Sequence, residues 1–465
     1  MCHAGVPPHT EGIDMATDSE VLFSSTPPVR LFLTAAVPGA VGMLVSSLYS
    51  VLDGIFVGQF VGETAFAAIN LAMPFVIVNF AFGDLIGVGS SVPISIAHGR
   101  GEREKANNIF TCACLLNVGT GLACGLFFLL AAPAIMAAMG ATGELARQAT
   151  VYLRVYSAFL PITSIGFAAD NYLRICGRIR RSMLANVLLA VSGAVIEYVL
   201  LGICGLGVGA AALSVCVAIV LCVAVSLWPF FRGGMDLEFV QPHFSAHVIR
   251  EIVSDGIPAF LENVAGRITS VVLNVALLSL GGEDAVSVYG VLMFTDGVVV
   301  PLIYGTVDSL QPAVGFNWGA KNLDRVRALE RCCFVATALI SAAYLAVAQL
   351  FPAQIVLVFM PGAEQGLLEE GVFALRLFSL SFVVRWLPFA TQAYMVAVGQ
   401  SRLASIVTVV QSLVTPVVAL VALWPLGLLG LWLNMPVAAL LSAVLAAGVL
   451  VLFRRTVNER MEARA

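Results

Sequence analysis

Charge is what this sequence has least of. Asp, Glu, Lys and Arg make up 11% of its 465 residues, while 60% are hydrophobic, and the mean hydropathy is +0.96. Soluble domains carry about a quarter of their residues as charges, so this composition excludes one. There is no basic domain and no interleaving of aromatic with basic residues, which excludes nucleic acid as a partner. None of the ten cysteines forms a C-x-x-C pair; most fall inside apolar runs and read as small buried hydrophobes. No G-x-x-x-x-G-K-[ST] occurs, so direct use of ATP is not expected. H-E-x-x-H and G-x-S-x-G are also missing, so the chain is not expected to be an enzyme and implies no cofactor. His243 and His247 stand four apart without a third ligand and do not make a metal site. The first 27 residues contain acids and lack the basic and apolar regions of a signal peptide, so they read as a cytosolic tail.

What fills the chain is long apolar runs. Twelve lie near 30–61, 66–97, 108–132, 146–173, 183–204, 207–231, 248–279, 286–316, 328–351, 367–397, 402–424 and 426–453. Each is long enough to span a bilayer as a helix. The expected fold is an all-α membrane protein of twelve transmembrane helices in two pseudo-symmetric six-helix lobes. With the N-terminus inside, nineteen Lys and Arg fall in inside segments. The outside loops hold only Arg147, and Arg154, Arg267, Arg376 and Arg385 lie within spans. That bias puts both termini in the cytosol and the chain, as a multi-pass protein, in the cell membrane.

The two lobes are read from an internal repeat. Pro38 and Pro258 each sit early in the first span of a half, 220 positions apart. Gly62-Glu63 and Gly282-Glu283 follow at the same offset, and Tyr172…Gly177 answers Tyr394…Gly399 at an offset of 222. The organisation expected is a cytosolic tail over 1–29, an N-lobe over 30–231, a linker over 232–247, a C-lobe over 248–453 and a second tail over 454–465. Even-numbered units insert the same way up and leave a cleft between them. A cleft that opens alternately to each side is a transporter.

Within Leu31–Phe60 the one ionisable side chain is Asp53. An acid at the centre of a span costs about 2.5–3.5 kcal/mol on insertion scales, so Asp53 is a functional candidate. Pro38, on the same run, removes a backbone donor and marks a place for a helix bend. Asp53 lies ~35 Å along an ideal helix from Arg30, and Glu197 ~24 Å from Arg181. Both helices start inside, so both acids fall in the outer half of the first lobe. Two carboxyls brought together in a low dielectric hold a proton or offer hard oxygens to Na⁺. The plainer alternative for each is a hydrogen bond to a neighbouring helix.

Several motifs together resemble the multidrug and toxic compound extrusion (MATE) family over nearly the whole chain. The first span ends in Tyr49-Ser-Val-Leu-Asp53-Gly-Ile-Phe-Val-Gly58, similar to the family's first-helix motif. The second closes with Gly87-Val-Gly89…Ser95-Ile-Ala-His-Gly99, and the eighth with Gln311-Pro312-Ala-Val-Gly315-Phe-Asn317-Trp-Gly319, as in a bacterial branch. The resemblance implies export of cationic amphiphilic compounds driven by inward H⁺ or Na⁺. The family's fifth helix often carries Asn and, four residues later, Asp; here Gly193 and Glu197 stand there, so one oxygen ligand of the usual Na⁺ site is missing.

Other polar residues within the spans are weighed the same way. Asp84 is deep enough to join Asp53 and Glu197 in ion coupling. In the second lobe Glu262, Asp296 and Asp308 lie near mid-depth. Glu262 and Asp296 are assigned to the substrate cavity; the alternative is internal pairing with an arginine, Arg267 for Glu262. Asn79, Asn274, Phe75, Met293 and Phe294 are further cavity candidates, since aromatics and Met suit promiscuous cation binding. Arg154 and Arg376 are expected to snorkel or pair with an acid rather than touch substrate, and His98 to cap a helix C-terminus. The function expected is multidrug efflux by antiport, with small cationic substrates and the bilayer as partners and a monomeric chain. A flippase for lipid-linked saccharides is the nearest alternative, and an uncoupled membrane receptor or channel the alternative from another class.

Overall fold

The structure, a computed structural model, describes residues 18–362 and 364–462; Cys2 and Arg464 lie outside them. Among the described residues all regular structure is helical and no strand occurs. Lipid demands this, because without water each backbone donor and acceptor must be satisfied within its own segment. A short helix, α1 (Asp18–Ser25), precedes α2 (Pro28–Phe60), α3 (Glu63–Gly99), α4 (Arg103–Ala138) and α5 (Gly143–Ile175). Then come α6 (Ile179–Glu197), continued by a π-helical turn over Tyr198–Ile203, and α7 (Val208–Arg232). The second half holds α8 (Ala246–Asp308), α9 (Gln311–Gly319), α10 (Leu323–Leu350), α11 (Pro352–Phe359), α12 (Gln365–Leu380) and α13 (Phe382–Ala397). It closes with α14 (Ser401–Val409), α15 (Thr415–Leu423) and α16 (Leu428–Glu462).

Ten stretches are long and apolar enough to cross a membrane, Ala246–Gly319 counting as one. Two features account for the difference from the twelve expected. Gly282, with φ 65° and ψ −156°, is a non-helical corner inside α8 and separates two arms, each as long as a span. The run expected over 367–397 is divided at Ser381 into α12 and α13 of 16 residues each, about 24 Å apiece and short of a ~30 Å core. The tails also differ from expectation. Part of the first is helical, as α1, and α16 continues to Glu462 rather than stopping at 453.

The stretch between α7 and α8 is tied down along α4. Asn107 Oδ1 accepts from Glu238 N (3.1 Å), Thr111 Oγ1 from Val240 N (3.1 Å) and Asn108 Oδ1 from His243 N (2.8 Å). Leu130, Leu339 and Val444 are 70%, 64% and 68% exposed. An apolar surface of that kind belongs against lipid chains.

The repeat is written into the backbone. Left-handed residues recur in pairs at the two offsets: Gly62 and Gly282, Gly101 and Lys321, Gly140 and Gly362, Gly177 and Gly399, Gly205 and Gly427. Lys321, at φ 59°, is the one non-glycine among them. A side chain there accepts the cost of the left-handed region to keep the turn that Gly101 makes freely.

The halves meet where α2 and α3 cross α8 and α9, at the end of the bundle that carries the basic loops. Glycine lets backbones touch there. A Cβ on Gly39 would lie 2.4 Å from Gly305 O, one on Gly89 2.1 Å from Ile252 O, and one on Gly319 2.2 Å from Ile96 O. Farther along, Ser47 Oγ donates to Gly297 O. Nearer the other end, Gly58 and Gly290 have nothing within 4 Å of where a Cβ would stand. At the basic end the interface is closed by backbone contact at Gly39, Gly89 and Gly319.

Candidate functional site

α2 and α6 pack side by side in the first half, and the sequence places one acid on each. The Asp53 and Glu197 carboxyls meet across that contact, and no Lys or Arg acts on either. Glu197 is fully buried, and no other residue donates to its oxygens. Tyr49, one turn before Asp53, lies against α6 at Gly193. A Cβ on Gly193 would fall 2.6 Å from the Tyr49 ring, so the missing side chain is the space the ring occupies. The Tyr49 hydroxyl is buried without a partner. It and Tyr152 lie within electrostatic range of both acids. Tyr49 and Gly193 lie on different helices, far apart in the chain, so nothing in the letters linked the ring to the place left by the glycine.

The second half has no counterpart to this pair. The repeat offsets carry Asp53 onto Leu273 and Glu197 onto Ala419, both buried and apolar. The Asp53–Glu197 arrangement therefore belongs to one half alone.

Asp84 does not join Asp53 and Glu197. Its Oδ2 accepts from Asn263 Nδ2 at 3.0 Å, across the contact between the halves. Glu262 lies within electrostatic range of Asp84 and Asp308. The Glu262–Arg267 pairing weighed above is not formed; Glu262 Oε2 accepts from Gln392 Nε2 at 3.0 Å. Asp308 Oδ1 accepts from Gln311 Nε2 at 2.7 Å. Each of the three acids thus has an amide as its hydrogen-bond donor. Arg174, the cation that acts on Asp308, is itself paired with Asp170. Phe82 and Phe260 meet across the same contact, ring centroids 5.5 Å apart.

Asp296, a cavity candidate, forms the internal ion pair that was its alternative. Both its oxygens are taken by the Arg385 guanidinium, each side chain only 17% exposed. The guanidinium also sits over the rings of Phe382 (5.3 Å) and Phe389 (5.5 Å). An acid neutralised in this way does not attract a second cation.

The remaining candidates divide by contact. Asn79 is buried, and its Oδ1 accepts from Ser164 Oγ at 3.1 Å, a bond between helices. Asn274 donates to Ser270 O within its own helix (2.9 Å). Phe75 packs edge-on against Phe128 inside the first half, and Phe294, half exposed, stacks on Phe359. Met293 packs against the core of the second half. Pro38 lies inside an unbroken α2. His98 is not a cap: it is buried against Phe316 and lies 3.7 Å from Glu20. Arg154 and Arg376 are exposed. Among the described residues, no three His, Cys, Asp or Glu gather as a metal cluster.

An apolar-belted helical bundle, built by duplication and holding unneutralised acids in its interior, belongs to the class of multi-pass membrane transporters. The MatE family profile matches residues 38–199 and again 258–421. The chain belongs to this family, the multidrug and toxic compound extrusion transporters. The two matches begin on Pro38 and Pro258, the prolines that open the repeat. The chain is similar to the multidrug export protein MepA of Staphylococcus aureus, with 23% identity over 444 residues covering 93% of this chain and 95% of that one. Its fold is similar to that of a multidrug resistance MATE family transporter of the MOP superfamily in an outward-facing conformation. That match has a TM-score of 0.88 and 24% identity, covering 93% of this chain and 97% of the other. A crystal structure of MATE in the bent conformation gives a TM-score of 0.87 at 24% identity, covering 97% of this chain and 100% of that one.

Proposed function

We propose that the chain is a twelve-span, two-lobe antiporter that exports cationic amphiphilic compounds in exchange for inward H⁺. In this reading the span count follows from dividing Ala246–Gly319 at Gly282 and taking α12 with α13 as one broken span. The lobes comprise 30–231 and 248–453, and the sealed basic end faces the cytosol by the excess of Lys and Arg there. The observation that carries the proposal is the pair Asp53–Glu197, two carboxyls in contact with no basic partner. In a low dielectric two such groups cannot both be negative unless a cation stands between them. Binding from the open side neutralises the pair and biases two packings that differ by a few kcal/mol. H⁺ is favoured over Na⁺ because Gly193 supplies no oxygen and the Tyr49 ring fills its place.

Substrate charge follows from the contact between the lobes. Asp84, Glu262 and Asp308 take their hydrogen bonds from amides there, while Phe82 and Phe260 offer ring faces. That surface suits an organic cation and is the wrong sign for a lipid-linked saccharide phosphate. The test is efflux of a cationic dye from proteoliposomes under separately imposed H⁺ and Na⁺ gradients. Wild type should export under the H⁺ gradient alone. Asp53→Asn should insert normally and lose at least about tenfold of the driven rate, a transport-barrier change of about 1.4 kcal/mol. Export by Asp53→Asn at the wild-type rate removes the coupling role, and export under Na⁺ alone replaces the ion.

A further inference from the structure

The short helix α1 lies across the line along which the two halves must part, and it binds both sides of it. Toward the first half, Glu20 lies 3.1 Å from Arg103 and 3.7 Å from His98, at the ends of α4 and α3. Ser19 and Leu22 sit against Gly177, where a Cβ would come within 3.3 Å of each. Toward the second half the contacts are made through the last turn of α1. Phe23 O accepts from Asn317 Nδ2 (3.1 Å) and from Arg325 Nε (2.6 Å), and Thr26 O accepts from Arg325 Nη2. The Phe23 ring, 3% exposed, meets Phe316 at 5.8 Å, and Phe316 meets His98 at 5.8 Å.

The chemistry explains the fit. The last carbonyls of a helix have no partner within it and carry its negative end. A guanidinium with an adjacent amide satisfies them with charge-assisted bonds. Asn317 and Arg325 belong to α9 and α10 of the second half, whereas α1 is joined to α2 of the first half by only Thr26 and Pro27. The helix that carries Asp53 therefore ends, at the basic side, in an element held by the opposite half.

We propose that α1 is a latch on the cytosolic gate, holding the basic end shut and leaving either α9–α10 or α3–α4 whenever that end opens. This rests on the two-lobe transporter reading, but its test does not require transport. Opening there must separate Gly99 from Phe316 and Gly319 from Ile96, whose backbones now touch. α1 spans both contacts, so one of its two sets of bonds has to break in the same step.

Hydrogen exchange on the full chain in lipid nanodiscs tests the latch, comparing wild type with Arg325→Ala and Phe23→Ala. Both variants should speed exchange over residues 92–101 and 314–322 roughly tenfold, the weight of one charge-assisted hydrogen bond. Residues 50–58 and 286–296, at the opposite end, should be unchanged. Arg325→Lys, which keeps the charge but not the fork across two carbonyls, serves if Arg325→Ala does not fold and should give the same pattern more weakly. The proposal is overturned if residues 18–26 lose protection while 92–101 and 314–322 keep theirs. It is overturned equally if exchange rises everywhere alike, the mark of a merely structural helix. A wild type that shows no dye efflux, with the gate exchange still responding to these variants, would remove the transport reading and leave the latch standing.

Discussion

At the scale of single residues, what separates the acids of this chain is their partners. Asp170 and Asp296 are matched by Arg174 and Arg385, a neutralisation that any membrane interior requires. Asp53 and Glu197 have only each other. Depth arithmetic from Arg30 and Arg181 was enough to put both in the outer half of the first lobe, because helical rise is fixed. It could not pair Asp296 with Arg385 or Asp84 with Asn263, since those contacts depend on how helices rotate against one another. The relation of Tyr49 to Gly193 was hidden for the same reason, although both letters were in view. It makes a test of the site. Gly193→Asn restores the amide that the family often has, yet its Cβ must displace the Tyr49 ring. Overpacking of this kind costs about 1–3 kcal/mol. Thermal unfolding in detergent should therefore fall for Gly193→Asn and recover in Gly193→Asn with Tyr49→Ala. The double variant should also gain response to a Na⁺ gradient in the proteoliposome assay.

At the scale of elements, the apolar runs and the repeat were legible because hydropathy and glycine placement are local properties. Pro38 and Pro258 marked both halves, and the paired left-handed residues carry the same offsets into the backbone. Element continuity was less legible. The break at Gly282 falls between the runs 248–279 and 286–316, but nothing in the letters said that the run after Gln365 would divide at Ser381. The helical nature of α1 was missed because eight polar-leaning residues have no amphipathic stripe of useful length; its contacts with Asn317 and Arg325 hold it. The seal between the halves depends on small residues, and Gly305 on α8 is one of its close points. A Cβ there would lie 2.6 Å from both Ala40 Cα and Gly39 O, which are backbone atoms unable to yield. Gly305→Ala should wedge the basic end apart and disfavour the state open at the other end. Substrate affinity measured from that open side should weaken about tenfold, a bias of about 1.4 kcal/mol. Equilibrium dye binding to oriented proteoliposomes checks this, and unchanged affinity would show that the seal tolerates the extra carbon.

At the scale of the whole molecule, duplication has produced two halves with matching backbones and unequal chemistry. Leu273 and Ala419 stand where the first half has Asp53 and Glu197, so under the proposed antiport one lobe would couple and the other would give the first something to move against. This asymmetry sets the stoichiometry. If the pair couples transport as proposed, it retains one proton in the unloaded state and exchanges a second, because two adjacent carboxyls in a low dielectric do not both ionise. That coupling would bring in one positive charge per cycle. For a dye of charge +1 the exchange moves no net charge across the membrane, and for a dication it moves one outward. A potential of 100 mV acts on a net charge with about 2.3 kcal/mol. Proteoliposomes clamped with K⁺ and valinomycin at fixed pH gradient should then export a monovalent dye at the same initial rate whether the potential is zero or 100 mV. Export of a dicationic dye should change severalfold with the sign of the potential. A monovalent dye that responds as strongly as the dication would mean that more than one ion enters per cycle, and that a second charge-accepting site exists beyond Asp53 and Glu197.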